Sequence, residues 1–197
     1  MPPILLLTNI SKRPNALSIL RTCLTYNIKI VIHGMHNQVK DILNLYNKLS
    51  ETPNWVPATF GKSGAGISFL NVINCEYNER DKVHVMVPRS QKVNLESVPK
   101  IISENINRHV KVCAIEIPDL EKYEATVALP IDEITVETFR GFEVLLMLGN
   151  EGSGCSEKQL GMSECFLWCK QFSGDTASFN VAVAFAIVAE RVCRVVE

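Results

Sequence analysis

Apolar residues fall along this chain in short unbroken runs, separated by stretches that alternate with polar residues at helical spacing. Ile4-Leu5-Leu6-Leu7-Thr8 is the first such run, with the length expected of a strand buried on both faces of a parallel sheet. A polar loop, Asn9 to Pro14, leads to Leu17, Leu20 and Leu24, whose spacing predicts a helix with Asn15 as its N-cap. Lys29 to Ile32 predicts a second strand, closed by His33-Gly34, and Gln38 to Leu49 a second helix, stopped by Pro53. Beyond a loop from Phe60 to Gly66, strands are expected over Ile67 to Ile73 and Val83 to Val87, with a charged turn, Asn78 to Lys82, between them. A helix over Leu95 to Asn107 and a strand over Val110 to Ile117 follow, and Val144 to Leu148 is the clearest buried strand of the chain. Ser156 to Met162 reads as a short helix, Cys165 to Cys169 as a strand and Lys170 to Ala177 as a polar loop. Repeated strand–helix alternation predicts an α/β fold, a parallel sheet flanked by helices, in one domain spanning residues 1–197.

The last element changes the picture. From Val181 to Ala189 the terminal helix is apolar on nearly every face, so it is expected to be buried all round. A small domain achieves that only against a partner as well as its own sheet, which predicts a homodimer interface. The run is nine residues and ends at Glu190-Arg191, well short of the roughly 20 that a membrane-spanning helix needs. No membrane partner is expected.

Composition narrows the setting. Hydrophobic residues make up 47% of the 197 and charged residues 21%, with net charge −1. That is globular and lacks the strong basic excess of a protein that coats nucleic acid. The seven cysteines are an odd number without framework spacing, and no signal peptide is visible at the N-terminus. Both point to a reducing, intracellular and cytoplasmic setting. Cys165 and Cys169, like His33 and His36, lack zinc-site spacing, so no metal is expected.

The chemistry concentrates after Leu148. Gly149-Asn150-Glu151-Gly152-Ser153-Gly154 puts three glycines in six residues directly beyond a strand end, where open α/β sheets bind ligands. On spacing alone, a plain glycine-rich turn serves equally well. The order is not that of the dinucleotide fingerprint. Gly61-Lys62-Ser63 is no phosphate loop either, because Val56 stands where the first glycine is required. Ser178 or Asn180 could cap the terminal helix.

Three blocks then carry a resemblance. Leu146 to Ser156 resembles the L-x-L-G-N-E-G-x-G-L-S motif of the SpoU/TrmH RNA methyltransferases. Ser178-Phe179-Asn180-Val181-Ala182-Val183-Ala184 is similar to that family's S-L-N-V-S-V-A, and Asn15 to Arg21-Thr22 matches its N-x-x-x-x-x-R-[TS]. The sequence departs from the family at Lys170-Gln171, where Ile-Pro is usual, at Leu17, and at Cys155 and Phe179, which stand in place of leucines.

The resemblance implies the SPOUT fold, with a trefoil knot over approximately 144–197, a homodimer, and S-adenosylmethionine as cofactor. The reaction it implies is methylation of a ribose 2′-hydroxyl in RNA, with transfer RNA favoured over ribosomal RNA. Carried over residue by residue, the cofactor would be held by Leu148, Gly149, Asn150, Glu151, Gly152, Gln171, Phe172, Ser178, Phe179 and Asn180. The catalytic set would be Arg21, Asn15, Ser178 and Asn180. The family reading makes Arg21 a base; an arginine with pKa above about 12 accepts protons poorly, so a phosphate or oxyanion contact is the physical alternative. Lys12 and Arg13 would add to Arg21 as RNA contacts, or be ordinary solvated charges. A domain that begins at Ile4 is expected to choose its RNA through its own surface, a dimer groove or another protein. Two rivals stand beside this reading: a catalytically inactive RNA-binding or assembly factor of the same fold, and a nucleotide-binding protein using the glycine loop for phosphate.

Overall fold

The computed structural model describes residues 2–8, 10–33, 95–117, 122, 127–170 and 179–196. The helix expected over 38–49, the loop 60–66, the strands 67–73 and 83–87 with the turn between them, and the site candidates Gln171, Phe172 and Ser178 lie outside the described residues. The elements, in chain order, are β1 (Ile4–Thr8), α1 (Arg13–Thr25), β2 (Lys29–His33), α2 (Val98–Ile106), β3 (Val110–Ile115), β4 (Val127–Pro130), β5 (Glu143–Leu148), α3 (Glu157–Gly161), β6 (Cys165–Trp168) and α4 (Val181–Val196). The six strands form one sheet in the order β2-β1-β5-β3-β6-β4, and every pairing is parallel. Both C-terminal strands are thus inserted between strands laid down earlier.

Side chains alternate across a strand, which explains why these runs are apolar at every position. Leu5 and Leu7 of β1, with Val144, Leu146 and Leu148 of β5, pack against Ala16, Ile19 and Leu20 of α1 and Phe185, Val188 and Val192 of α4. Ile4, Leu6, Leu145 and Met147 face the other way, onto Val98 and Ile102 of α2 with Phe166 of β6. Two apolar layers therefore sandwich the sheet.

Three expectations are corrected. Helix α1 begins at Arg13, two residues before Asn15, so Asn15 is not its N-cap. Pro14 sits in the first turn, where its missing N–H costs nothing, and the Ala16 N–H already donates to Lys12 O at 3.1 Å. A 3-10 turn, Leu95–Ser97, precedes α2, which starts beside Pro99 and stops at Asn107 in the left-handed conformation, φ 51. The edge strand β4 was not anticipated; it is half-exposed and ends in proline. The single chain leaves a stripe of α4 and its approach uncovered: Val183 is 47% exposed and Ile187 36%, with Phe179 at 44%, at four-residue spacing. None of the described helices is long and apolar enough to cross a membrane.

Candidate functional site

Strand β5 leaves the sheet at Leu148, beside the end of β1, and three polar groups fix that exit. The Thr8 hydroxyl donates to Leu148 O at 2.9 Å. The buried amide of Gln159 on α3 donates to Thr8 Oγ1 at 2.7 Å and to Leu148 O at 3.0 Å. Its Oε1 accepts from the N–H and the hydroxyl of Ser156, each at 2.9 Å. One side chain therefore pins both ends of the loop 149–155. Within it, Asn150 and Gly154 exchange backbone hydrogen bonds of 2.9 and 3.0 Å, and Asn150 Oδ1 accepts from the Gly152 N–H at 2.8 Å. A side chain at Gly149 would collide with the Gly154 carbonyl. Gly154 has φ +65, a conformation that strongly favours glycine.

The same loop reaches the first one. Glu151 accepts hydrogen bonds from Lys12 N at 2.8 Å, from Ser11 N at 3.1 and 3.2 Å, and from the Ser11 hydroxyl at 3.0 Å. Burial alone would push its carboxyl up, but these donors together outweigh that and hold it below the usual carboxylate range. A second bridge lies at the start of α4. Asn180 Nδ2 donates to Asn15 Oδ1 at 3.0 Å across 165 residues of sequence, while Asn180 Oδ1 accepts from Ala182 N at 2.9 Å and caps the helix. Asn15 itself is only 8% exposed. Residues from all three sequence blocks thus converge at one end of the sheet.

Between the ends of β3, β5 and β6 lies a cleft of about 510 Å³, within the range of roughly 300–1,000 Å³ typical of small-molecule sites. Its lining includes apolar Leu148, Leu167, Cys169, Val181 and Ala184 and polar Glu116, Lys122, Asn150, Glu151 and Glu157. Leu148, Gly149, Asn150, Glu151, Gly152 and Phe179 all line it, and Asn180 follows Phe179 in the chain. Arg21 and Arg13 are exposed on α1 and do not line this cleft, and Lys12 reaches the site through its backbone N–H. The Cys155 thiol, also in the lining, is pushed up to about 12 by burial and by nearby Glu116. Burial raises Cys169 as well. Neither is a nucleophile near neutrality. Among the described residues no group of three or more His, Cys, Asp or Glu is arranged to hold a metal ion.

Glu116, Gln159, Thr8 and Trp168 escaped the sequence reading. Glu116 had a usable signal: an acidic residue immediately after a buried strand, at the sheet end where ligands bind. Gln159 and Thr8 had none, since their value lies in contacts made 151 residues apart.

The geometry then meets its relatives. No family model matches the sequence, and no curated protein matches it either. Solved structures do. The SpoU methyltransferase AviRb from Streptomyces viridochromogenes, in complex with AdoMet, superposes with a TM-score of 0.59 at 13% identity, covering 97% of this chain and 59% of that one. The fold is that of the SpoU methyltransferases. An AdoMet-bound rRNA methyltransferase from Sinorhizobium meliloti gives 0.58 at 12% identity, covering 99% and 57%. A putative RNA methyltransferase of the TrmH family from Porphyromonas gingivalis gives 0.57 at 15%, covering 96% and 59%. The chain spans about three fifths of the length of these structures.

Proposed function

We propose that this chain binds S-adenosylmethionine in the cleft at the carboxyl ends of β3, β5 and β6 and methylates a ribose 2′-hydroxyl of RNA, transfer RNA being favoured. The observation that carries the reading is that Asn180 bonds Asn15 while Glu151, in the glycine-tight loop 149–154, accepts from Ser11 and Lys12 just ahead of α1. Three blocks that resemble one family in sequence also meet in space, on a fold shared with AdoMet-bound RNA methyltransferases.

The cleft fits that cofactor by charge as well as by size. Among the described residues three carboxylates, Glu116, Glu151 and Glu157, line it against one ammonium, Lys122, which pairs with Glu157 at 2.6 Å. Such a lining attracts a sulfonium and repels a polyphosphate, which speaks against the nucleotide-phosphate rival. Leu148 to Gly152 and Phe179 would hold the cofactor, joined by Gln171, Phe172 and Ser178 from the following loop, within a C-terminal knot over 144–197. When bound, the cofactor supplies an electrophilic methyl group. The chain's own task is to align the ribose oxygen in line with it and to stabilise charge growing on that oxygen. Arg21, exposed on α1 two turns beyond Asn15, suits a phosphate or oxyanion contact better than a base; Lys12 and Arg13 extend the same cationic surface. Phe179, Val183 and Ile187 give a homodimer an apolar seam along α4.

The test is transfer of labelled methyl from S-adenosylmethionine to transfer and ribosomal RNA fractions. Wild type is expected to produce 2′-O-methylribose in transfer RNA, and Arg21→Ala to lose at least about a hundredfold in rate while keeping cofactor affinity. Cofactor binding without transfer to any RNA would favour the inactive assembly factor. No binding at all would sink the methyltransferase reading.

A further inference from the structure

One carboxylate in the cleft belongs to none of the three sequence blocks. Glu116 follows the last residue of β3 and is half-buried in the cleft's lining. Its Oε2 accepts from the Cys155 N–H at 2.9 Å and its Oε1 from the Ile117 N–H at 3.2 Å. A carboxylate oxygen has two acceptor positions, so each keeps one for a ligand. Among the described residues no ion pair neutralises it. Gly154 lies directly beside Glu116 Oε2, and its φ of +65 is what calls for glycine there.

We propose that Glu116 recognises the cofactor's ribose, its carboxylate accepting hydrogen bonds from the vicinal 2′- and 3′-hydroxyls. This rests on the cofactor reading above. Leu148, Leu167 and Val181 in the lining suit a flat heterocycle, and Glu116 lines the same cleft together with Asn150 and the Lys122–Glu157 pair. Two adjacent hydroxyls match two carboxylate oxygens, the same chemistry by which acidic residues hold ribose in dinucleotide sites. An anion at this point also selects a nucleoside over a nucleotide.

The test is a binding cycle on the full chain by isothermal titration calorimetry, with S-adenosylhomocysteine and its 3′-deoxy analogue as probes. Wild type is expected to bind the analogue about ten- to a hundredfold more weakly, the worth of a hydrogen bond to a charged acceptor. Glu116→Ala should lose a similar factor for S-adenosylhomocysteine and discriminate between the two probes by less than about twofold on the same scale. Glu116→Gln keeps an acceptor for the Cys155 N–H, so it should retain the wild-type Tm and still lose discrimination. Variants that discriminate as well as wild type overturn the proposal. So does an equal loss for both probes with a lowered Tm, which makes Glu116 a support of the loop alone. Wild type binding neither probe removes the cofactor reading itself, an outcome distinct from both.

Discussion

At the scale of single residues, the site is organised by polar side chains whose partners lie far away in sequence. Gln159 is the sharpest case, bonding Thr8, Leu148 and Ser156 at once. Removing a buried partner of this kind leaves groups unsatisfied, at about 1–3 kcal/mol. Gln159→Ala is therefore expected to lower unfolding free energy by that amount in denaturant titration. It should also weaken S-adenosylmethionine binding more than an exposed change on the same helix, such as Lys158→Ala. Residues of this type are hard to read from sequence. Gly149 and Gly154 announce a tight loop, but nothing local to Asn15 tells a helix cap from a buried hydrogen-bond acceptor. Its partner, Asn180, comes 165 residues later, and the structure decides for the second.

At the scale of elements, legibility follows burial. β1, β2, β3, β5 and β6 were all foreseen to within a few residues because strands covered on both faces are apolar throughout. β4 was not. Val127-Ala128-Leu129-Pro130 is as apolar as the other strands but only four residues long and closed by proline, too short a run to announce a strand. Helix α4 was legible as an apolar run, and which of its positions this chain leaves uncovered depends on where α1 and the sheet lie against it. The remaining stripe predicts an association. Val183→Glu or Ile187→Glu should convert a dimer to a monomer in sedimentation velocity while leaving circular dichroism unchanged. A wild-type protein that sediments as a monomer at tens of micromolar would remove the homodimer from the reading.

At the scale of the whole molecule, the two ends of the sheet differ in kind. The carboxyl ends carry the cleft and its satisfied loops. At the amino end, Glu143 opens β5 at 4% exposure, and its Oε1 lacks a hydrogen-bond partner among the described residues. Burial pushes its carboxyl up, against the pull of Lys29, the N-terminus and Arg108. A carboxyl raised in the folded state favours folding below the ordinary carboxylate range, and that contribution is lost as pH rises through the raised value. Glu143→Gln is therefore expected to raise Tm at pH 7 by a few degrees, with the gain vanishing near pH 4. A gain that is the same at both pH values would assign the effect to packing instead.

The strand order has a consequence for how the molecule comes into being. Until β5 and β6 have been synthesised, only β1 and β2 among these strands have a neighbour to pair with, because β3 and β4 each wait for a strand encoded later. Most of the sheet therefore forms through pairings of high contact order, which close slowly. On the ribosome, the emerging chain exposes its apolar strands until the final quarter arrives, and it is then that chaperones matter most. The cleft is the last part to form, so a ligand that binds there would act as a clasp on a nearly finished fold.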